Sequence, residues 1–386
     1  MEEPYTVHWG ILATGTIAKT FTRDLIHPRP SSSSSNIAHT LTAVASSTSL
    51  ETATAFLRAC NAPPTTLAYP SYATLLSNPT INCVYIATPH SHHYALCRQA
   101  LLAGKNVLCE KPITVNAKQA AQLFALAKEK KLFLMEGVWT RFFPLTRKVL
   151  ELLHSGRIGT VKRVIADTSF AGPANGEDYP LDHRLLNPNL AGGALLDVGI
   201  YSLTWVFLAL YHVLPVGERR APERVVGLMS KHPVTGTDDT TSVVLGFPGG
   251  NGDGPQGIAL SSIRVATNPQ EGSPGEAGPA IRIQGTQGEI AIDGPTFRPT
   301  RFRFLPISEA KAEVFDFPIS GSGESGEKEG FPRGMFWEAD EVGRCLRDGK
   351  LQSENMGWEE SLEILRVMDE VRRLGGLGYP EKVEGV

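Results

Sequence analysis

Short, continuously apolar runs alternate with amphipathic stretches over the first third of the chain. Residues 7–12 predict a strand that ends in a Gly/Ala-rich turn, and a helical pattern follows through Ile26. Residues 41–45 predict a second strand, and 51–60 a helix that stops before Pro63-Pro64. A third strand at 83–87 is closed by Thr88-Pro89, and a helix at 93–103 ends at Gly104. A fourth strand at 106–109, a helix at 117–130 and a strand at 132–135 complete the alternation. Strands apolar on both faces and separated by helices predict a doubly wound parallel sheet.

The texture changes after Trp139. A helix at 144–155 leads into strands at 161–170, 224–231, 240–247, 257–266, 280–283, 289–292, 301–305 and 312–317, mostly without helices between them. That succession predicts a large, mostly antiparallel open sheet. Helices at 336–347 and 358–374 close the chain. The overall expectation is α/β, with one domain at 1–138 and a second at 139–386. The most apolar stretch, 194–214, contains Asp197 and several Gly, Ser and Thr residues, and so predicts a buried helix rather than a bilayer span. Ser31 to Ser35 predict a solvent loop, with a phosphorylatable or partner-binding loop as the alternative. Residues 249–257, 268–278 and 320–330 are Gly-rich loops.

Composition narrows the class. The 386 residues are 41% hydrophobic and 20% charged, with a net charge of −3, so long-range attraction favours neither nucleic acid nor an anionic membrane. Five scattered cysteines without a C-x-x-C pair predict reduced thiols, not a disulfide framework or a zinc site. The acidic Met-Glu-Glu-Pro start lacks a signal peptide and the last residues lack a lipidation signature; the expectation is a soluble cytoplasmic protein.

Three stretches carry candidate chemistry. In Gly10-Ile11-Leu12-Ala13-Thr14-Gly15-Thr16-Ile17-Ala18, the positions of the dinucleotide fingerprint fall on Ala13, Gly15 and Ala18. A glycine at the second position lets helix-terminal N–H groups approach a pyrophosphate. The second strand is followed by Ser46-Ser47-Thr48, with Glu51 already in the helix. An acidic residue there would grip the ribose 2′-hydroxyl of NAD, and its absence favours NADP. Next, Cys109-Glu110-Lys111-Pro112 ends the fourth strand, where ligands of doubly wound sheets bind; Lys111 is placed to contact a nicotinamide ribose or to lower the pKa of a neighbouring acid. Finally, Gly192-Gly193 lead into a helix on which Asp197 and Tyr201 stand four residues apart. Local pairing of Asp197 and core packing of Tyr201 are the plain alternative. His90, His92 and His93 cluster after Pro89 without a carboxylate or cysteine partner, which argues against a metal site and for one of them beside the nicotinamide.

Taken together these motifs, with Gly285-Thr286-Gln287-Gly288, resemble the Gfo/Idh/MocA oxidoreductase family over nearly the whole chain. The resemblance implies an N-terminal Rossmann domain, a substrate-binding and dimerising α/β domain, and a homodimer. Many members carry His where this chain has Tyr201. Tyr there, with Glu136 to Phe142, Asp182-His183-Arg184 and Glu338-Ala339-Asp340-Glu341, is similar to the branch of dihydrodiol dehydrogenases and fungal NADP-dependent D-xylose 1-dehydrogenases.

On that resemblance, Tyr201 is the base that takes a hydroxyl proton as hydride leaves the same carbon, Lys111 stabilises its phenolate, and Asp197 orients substrate or tunes the pair. Cofactor contacts are expected from Ala13, Thr14, Gly15, Thr16, Ile17, Ser46, Ser47, Thr48, Thr88, Pro89, His90, His93, Glu110 and Lys111. Substrate contacts are expected from Trp139, Arg141, Phe142, Arg184 and Asp197, with interdomain packing as the alternative for the first four. The implied reaction is NADP-dependent oxidation of an aldose such as D-xylose to its lactone. A trans-dihydrodiol dehydrogenase is the runner-up, and a non-catalytic nicotinamide-binding regulator is the reading from another class.

Overall fold

The computed structural model describes residues 3–28, 36–172, 179–249, 252–268, 278–308, 311–319 and 332–386. The expectations for Ser31 to Ser35 and for 320–330 lie outside the described residues, as does most of the loop at 268–278.

The first sheet is built from β1 (Tyr5–Leu12), β2 (Ile37–Ala45), β3 (Leu67–Tyr69), β4 (Cys83–Ile86), β5 (Asn106–Glu110) and β6 (Leu134–Gly137). All pair in parallel, in the order β3-β2-β1-β4-β5-β6. The connections are α1 (Thr16–Ile26), α2 (Leu50–Ala59), α3 (Tyr72–Leu76), α4 (His93–Leu102) and α5 (Ala117–Lys130). β4 is buried at all four residues, as a strand covered on both faces must be. α1 buries Ala18, Phe21 and Leu25 at helical spacing. Ser49 caps α2 by accepting the Thr52 N–H, and Gly104, at φ +75°, follows the end of α4. The sheet order reverses between β1 and β4, the switch point beside which such sheets bind ligands.

The second sheet has eight strands. β7 (Val161–Ser169) follows α6 (Pro144–His154), and β8 (Arg224–Lys231), β9 (Asp238–Gly246) and β10 (Gln256–Ser262) follow a long buried helix. The remaining strands are β11 (Ile281–Gly285), β12 (Gly288–Ile292), β13 (Arg301–Pro306) and β14 (Glu313–Asp316). Their order is β14-β13-β12-β11-β7-β10-β9-β8, antiparallel except for the β7–β10 pair. The buried helix has α7 (Ile200–Phe207) at its centre and wider, π-helical turns at Leu195–Gly199 and Leu208–His212. Its apolar stretch is long enough to cross a membrane, yet it is wholly enclosed by the fold, as expected. Gly257 lets it approach β10, because a Cβ there would lie 2.3 Å from Val206. Trp205 Nε1 and Ser202 Oγ then donate to the carbonyls of Thr296 and Leu260, at 2.9 and 2.8 Å.

The chain ends with α8 (Phe336–Arg347), α9 (Trp358–Leu374) and α10 (Glu381–Glu384). By packing, the chain forms two compact units. One compact unit comprises Met1–Thr114, Lys118–Phe142 and Ile319–Trp358, and the other Val115–Ala117, Phe143–Pro318 and Glu359–Val386. The returning segment is tied into the first unit by a buried chain: Trp9 Nε1 donates to His39 Nδ1 at 3.1 Å, and His39 Nε2 lies 2.9 Å from Asp340 of α8. Polar anchors of this kind leave no hydrophobic period to read.

Candidate active site

The first turn bends where the fingerprint requires it. Ala13 sits at φ +100°, a conformation that favours glycine, and donates its N–H to Ala45 O at 3.2 Å. Gly15 stands at the N-terminus of α1, where no side chain caps the helix. A Cβ on Gly15 would meet no protein atom within 4 Å, so the space it keeps clear lies outside the fold. Thr14 and Ile17 are half-buried, Thr16 is exposed, and the first turn of α1 carries no acidic residue. The free N–H groups of a helix start and its positive end suit a pyrophosphate.

After β2, Ser46 is buried and its Oγ accepts the Thr48 N–H at 3.1 Å. It shapes the turn that follows β2. The exposed hydroxyls are those of Ser47 and Thr48. Glu51 lies in the first turn of α2, where hydrogen bonds from its own N–H and from Ser49 hold its carboxyl below the usual range.

The Lys111 turn is anchored from behind. Glu110 is buried; it accepts the Tyr85 hydroxyl at 2.5 Å and the Lys111 N–H at 3.2 Å. The Lys111–Pro112 peptide bond is cis, and beyond it the Ile113 N–H donates to Glu136 at 2.9 Å. The fully buried His93 ring spans two turns, with Nδ1 2.7 Å from Pro112 O and Nε2 2.8 Å from Thr88 O. Burial, with the charges of His90 and Lys111, pushes its pKa down to about 3 against the pull of the two carbonyls. Glu110 and His93 thus hold the backbone of the Glu-Lys-Pro and Thr-Pro turns. His90 packs edge-on to His93 at 5.8 Å, and His92 Nδ1 lies 3.0 Å from Ser91 Oγ. Thr88 Oγ1 is buried and has no hydrogen-bond partner among the described residues, a position a dinucleotide hydroxyl or amide would satisfy. Pro89 beside it is exposed. The turn residues thus fit a dinucleotide.

Trp139, Arg141 and Phe142 fall in a short 3₁₀ turn after β6 that is buried throughout. Arg141 donates through Nε and Nη2 to Asn355 O at 3.0 and 2.8 Å, and Asn355 Nδ2 in turn donates to Glu341 at 2.9 Å. Phe142 has no exposed surface. Arg141 and Phe142 are thus packed in the first unit, and Trp139 is nearly as buried.

In the second unit, Asp197 and Arg184 form a two-pronged ion pair, Nη1–Oδ1 at 2.8 Å and Nη2–Oδ2 at 3.2 Å. Asp197 is almost enclosed, whereas 52% of the Arg184 side chain is exposed. Asp197 first, then the phenols of Tyr179 and Tyr201, hold the Arg184 pKa above its ordinary value. The guanidinium therefore lies within electrostatic reach of the Tyr201 hydroxyl. Arg184 is thus a charge neighbour of Tyr201, a role expected only of Lys111.

Phe297 and Phe170, which the sequence did not single out, pack beside Tyr201. The Tyr201 and Phe297 ring centroids are 5.7 Å apart, as are those of Phe297 and Phe170. Tyr179 stacks on His183 at 4.5 Å. Phe297 follows Gly294-Pro295-Thr296, and an aromatic in a Gly-Pro turn was the one signal that marked it. Among the described residues no group of three or more His, Cys, Asp or Glu is arranged to hold a metal.

Two family models match the chain. Residues 7–138 match the oxidoreductase family with an NAD-binding Rossmann fold, and 146–291 match the GFO/IDH/MocA C-terminal domain. The chain is 46% identical over 385 residues to a D-xylose 1-dehydrogenase (NADP(+)) of Hypocrea jecorina, covering 98% of this chain and 95% of the relative. It is 31% identical over 377 residues to the trans-1,2-dihydrobenzene-1,2-diol dehydrogenase of Bos taurus, covering 97% and 98%. An aldose-aldose oxidoreductase from Caulobacter crescentus shares the fold, with a TM-score of 0.74 at 22% identity over 96% and 98% of the two chains. With both its sheets, its glycine turn and its Glu-Lys-Pro turn in place, the chain belongs to the GFO/IDH/MocA oxidoreductase family.

Proposed function

We propose that this protein is an NADP-dependent dehydrogenase that oxidises an aldose of the D-xylose type at C1 to its lactone. The observation that carries the reading is the 46% identity, over 98% of the chain, to an NADP-dependent D-xylose 1-dehydrogenase. The site chemistry agrees with it. When bound, NADP supplies the hydride acceptor. Gly15 and the start of α1 receive its pyrophosphate, and Ser47 and Thr48 offer hydroxyls to the 2′-phosphate without a repelling acid.

Tyr201 takes the proton of the C1 hydroxyl while the C1 hydrogen leaves with its electron pair, so the C–O single bond becomes the lactone carbonyl. Arg184 contributes the positive charge that favours a phenolate, and Lys111 is the group that the Glu-Lys-Pro turn offers to the nicotinamide ribose. Asp197 fixes the Arg184 fork, and the two together meet sugar hydroxyls.

A second reading, trans-dihydrodiol dehydrogenase, is favoured by the half-buried Phe170 and Phe297 beside Tyr201, which suit a planar diol ring. Reduced-nicotinamide absorbance should be followed with D-xylose, other aldoses and a trans-dihydrodiol, with NADP and NAD separately. Fastest turnover of D-xylose with NADP is expected. Preference for the diol would favour the second reading, and tight cofactor binding without turnover of any substrate would point to a regulator.

The protein is further proposed to act as a homodimer in the cytoplasm. One face of the eight-stranded sheet carries Val226, Val244, Ile258 and Ile165 in a single row across β8, β9, β10 and β7. Val226 and the nearby Leu228 are 58% and 75% exposed, an apolar band suited to a second copy. Five buried, unpaired cysteines suit a reducing compartment.

A further inference from the structure

Gly192 and Gly193 are the point where three segments meet. A Cβ on Gly192 would stand 2.6 Å from Arg184 O and 2.7 Å from Leu185 O. A Cβ on Gly193, whose φ is +132°, would stand 2.0 Å from Oδ1 of Asp238. Only glycines permit both approaches. The Asp238 side chain comes from the first residue of β9, is fully buried, and reaches the start of the helix that carries Asp197 and Tyr201. Its Oδ2 accepts the Leu195 N–H at 2.6 Å and the Thr241 hydroxyl at 2.9 Å. Leu195 is within the first turn, where helix N–H groups lack intrahelical partners and an acidic group is favoured. The Gly192 carbonyl is held separately by the buried Tyr379 hydroxyl, at 2.7 Å.

We propose that Asp238 is a positioning residue for the reaction. By fixing Leu195 it sets the phase of the π-helical turn Leu195–Gly199, and with it the direction in which Asp197 meets Arg184 and Tyr201 faces substrate. A helix that started one peptide earlier or later would rotate Asp197 away from the Arg184 fork. The small displacement matters because misplacing a reacting group by about 1 Å costs on the order of 100-fold in rate. The inference rests on Tyr201 and Asp197 being the reacting groups proposed above.

The test uses the full-length protein with NADP and the aldose that wild type oxidises fastest. Asp238→Ala is expected to lower kcat roughly 10- to 100-fold, with NADPH affinity within about twofold of wild type. Asp238→Asn keeps an acceptor for Leu195 and should recover kcat to within a few-fold. Gly193→Ala, which presses on the same carboxylate, should also lower kcat. The double variant Asp238→Ala/Gly193→Ala should fall short of the product of the two single losses, because removing the carboxylate removes the clash.

Hydrogen exchange gives a readout independent of substrate: amides of residues 193–201 should exchange at least about tenfold faster in Asp238→Ala, corresponding to about 1.4 kcal/mol of local opening. If Asp238→Ala does not fold, Thr241→Val, which removes the second hold on the carboxylate, should lower kcat a few-fold and speed the same exchange. Unchanged kcat and exchange in the variant that folds, an Asn variant as impaired as Ala, or multiplicative losses would overturn the proposal. An active Tyr201→Phe enzyme would instead overturn the choice of base while leaving the exchange result standing.

Discussion

The polar groups behind Lys111 and those beside Tyr201 are built in opposite ways. In the Rossmann unit, Glu110, Glu136 and His93 are buried and turned to backbone N–H and C=O groups of the Glu-Lys-Pro and Thr-Pro turns. In the second unit, Asp197 and Arg184 are turned to each other, and the arginine keeps half its surface open. The first arrangement makes a rigid turn that presents one lysine. The second presents the polar groups themselves. Removing a backbone anchor should therefore cost stability first, and altering the open pair should cost rate first.

Within the first unit the largest effect is expected at Lys111, the group that the buried anchors serve. Lys111→Met should lower kcat/KM roughly 10²- to 10³-fold and weaken NADPH binding, as steady-state kinetics and a fluorescence titration would show. A catalytically normal variant removes Lys111 from the account. At Arg184, replacement by Lys keeps the charge but loses the two-pronged geometry; kcat should fall roughly tenfold with little change in melting temperature. A large loss of stability there would erase the contrast.

His93→Leu should do the reverse. It leaves a buried carbonyl without its donor, and should lower unfolding free energy by about 2 kcal/mol, read from denaturant melts, with kcat reduced far less than in Lys111→Met.

Smaller effects sharpen the picture of the first unit. Glu338 is fully buried, has no hydrogen-bond partner among the described residues, and faces the charges of Glu110 and Asp24. Burial, then those charges, raise its pKa well above the usual carboxyl value, so it is held as the neutral acid. The folded protein keeps this proton where the unfolded chain has released it. Its contribution to stability is therefore greatest below the unfolded pKa of 4.5 and declines as pH rises above it, until the raised folded pKa is reached. Glu338→Gln lacks that slope and should gain on wild type by about 1.4 kcal/mol per pH unit above 4.5. Parallel stability curves for the two proteins would show that the carboxyl ionises in place. Ala13→Gly should relieve the φ of +100° and add about 1 kcal/mol of stability.

The same contrast explains what was legible in the sequence. Long elements with a clear period were read with their ends intact: α5, α8 and α9 fall where apolar spacing and caps place them. The three-residue β3 and five-residue α3 were missed, since neither spans enough residues to show a period. The parallel pairing of β7 with β10 depends on chain segments about 90 residues apart, which local patterns do not encode. At the site, Gly15 and Lys111 were legible because backbone geometry and strand position point to them. At His93, Glu110 and Arg141 the sequence does not separate a buried backbone anchor from a ligand contact, because both use the same residue types. Phe170 and Phe297 lie far apart in sequence and meet only after the second sheet forms.

In the proposed reaction Tyr201 moves the proton. The most direct test of that step is a single-turnover measurement of NADP reduction by wild type and Tyr201→Phe with D-xylose, beside an NADPH titration of both. A loss of roughly 10²- to 10⁴-fold in the chemical step, with NADPH affinity within about twofold, is the predicted result. A Phe variant that reduces NADP at the wild-type rate would contradict it.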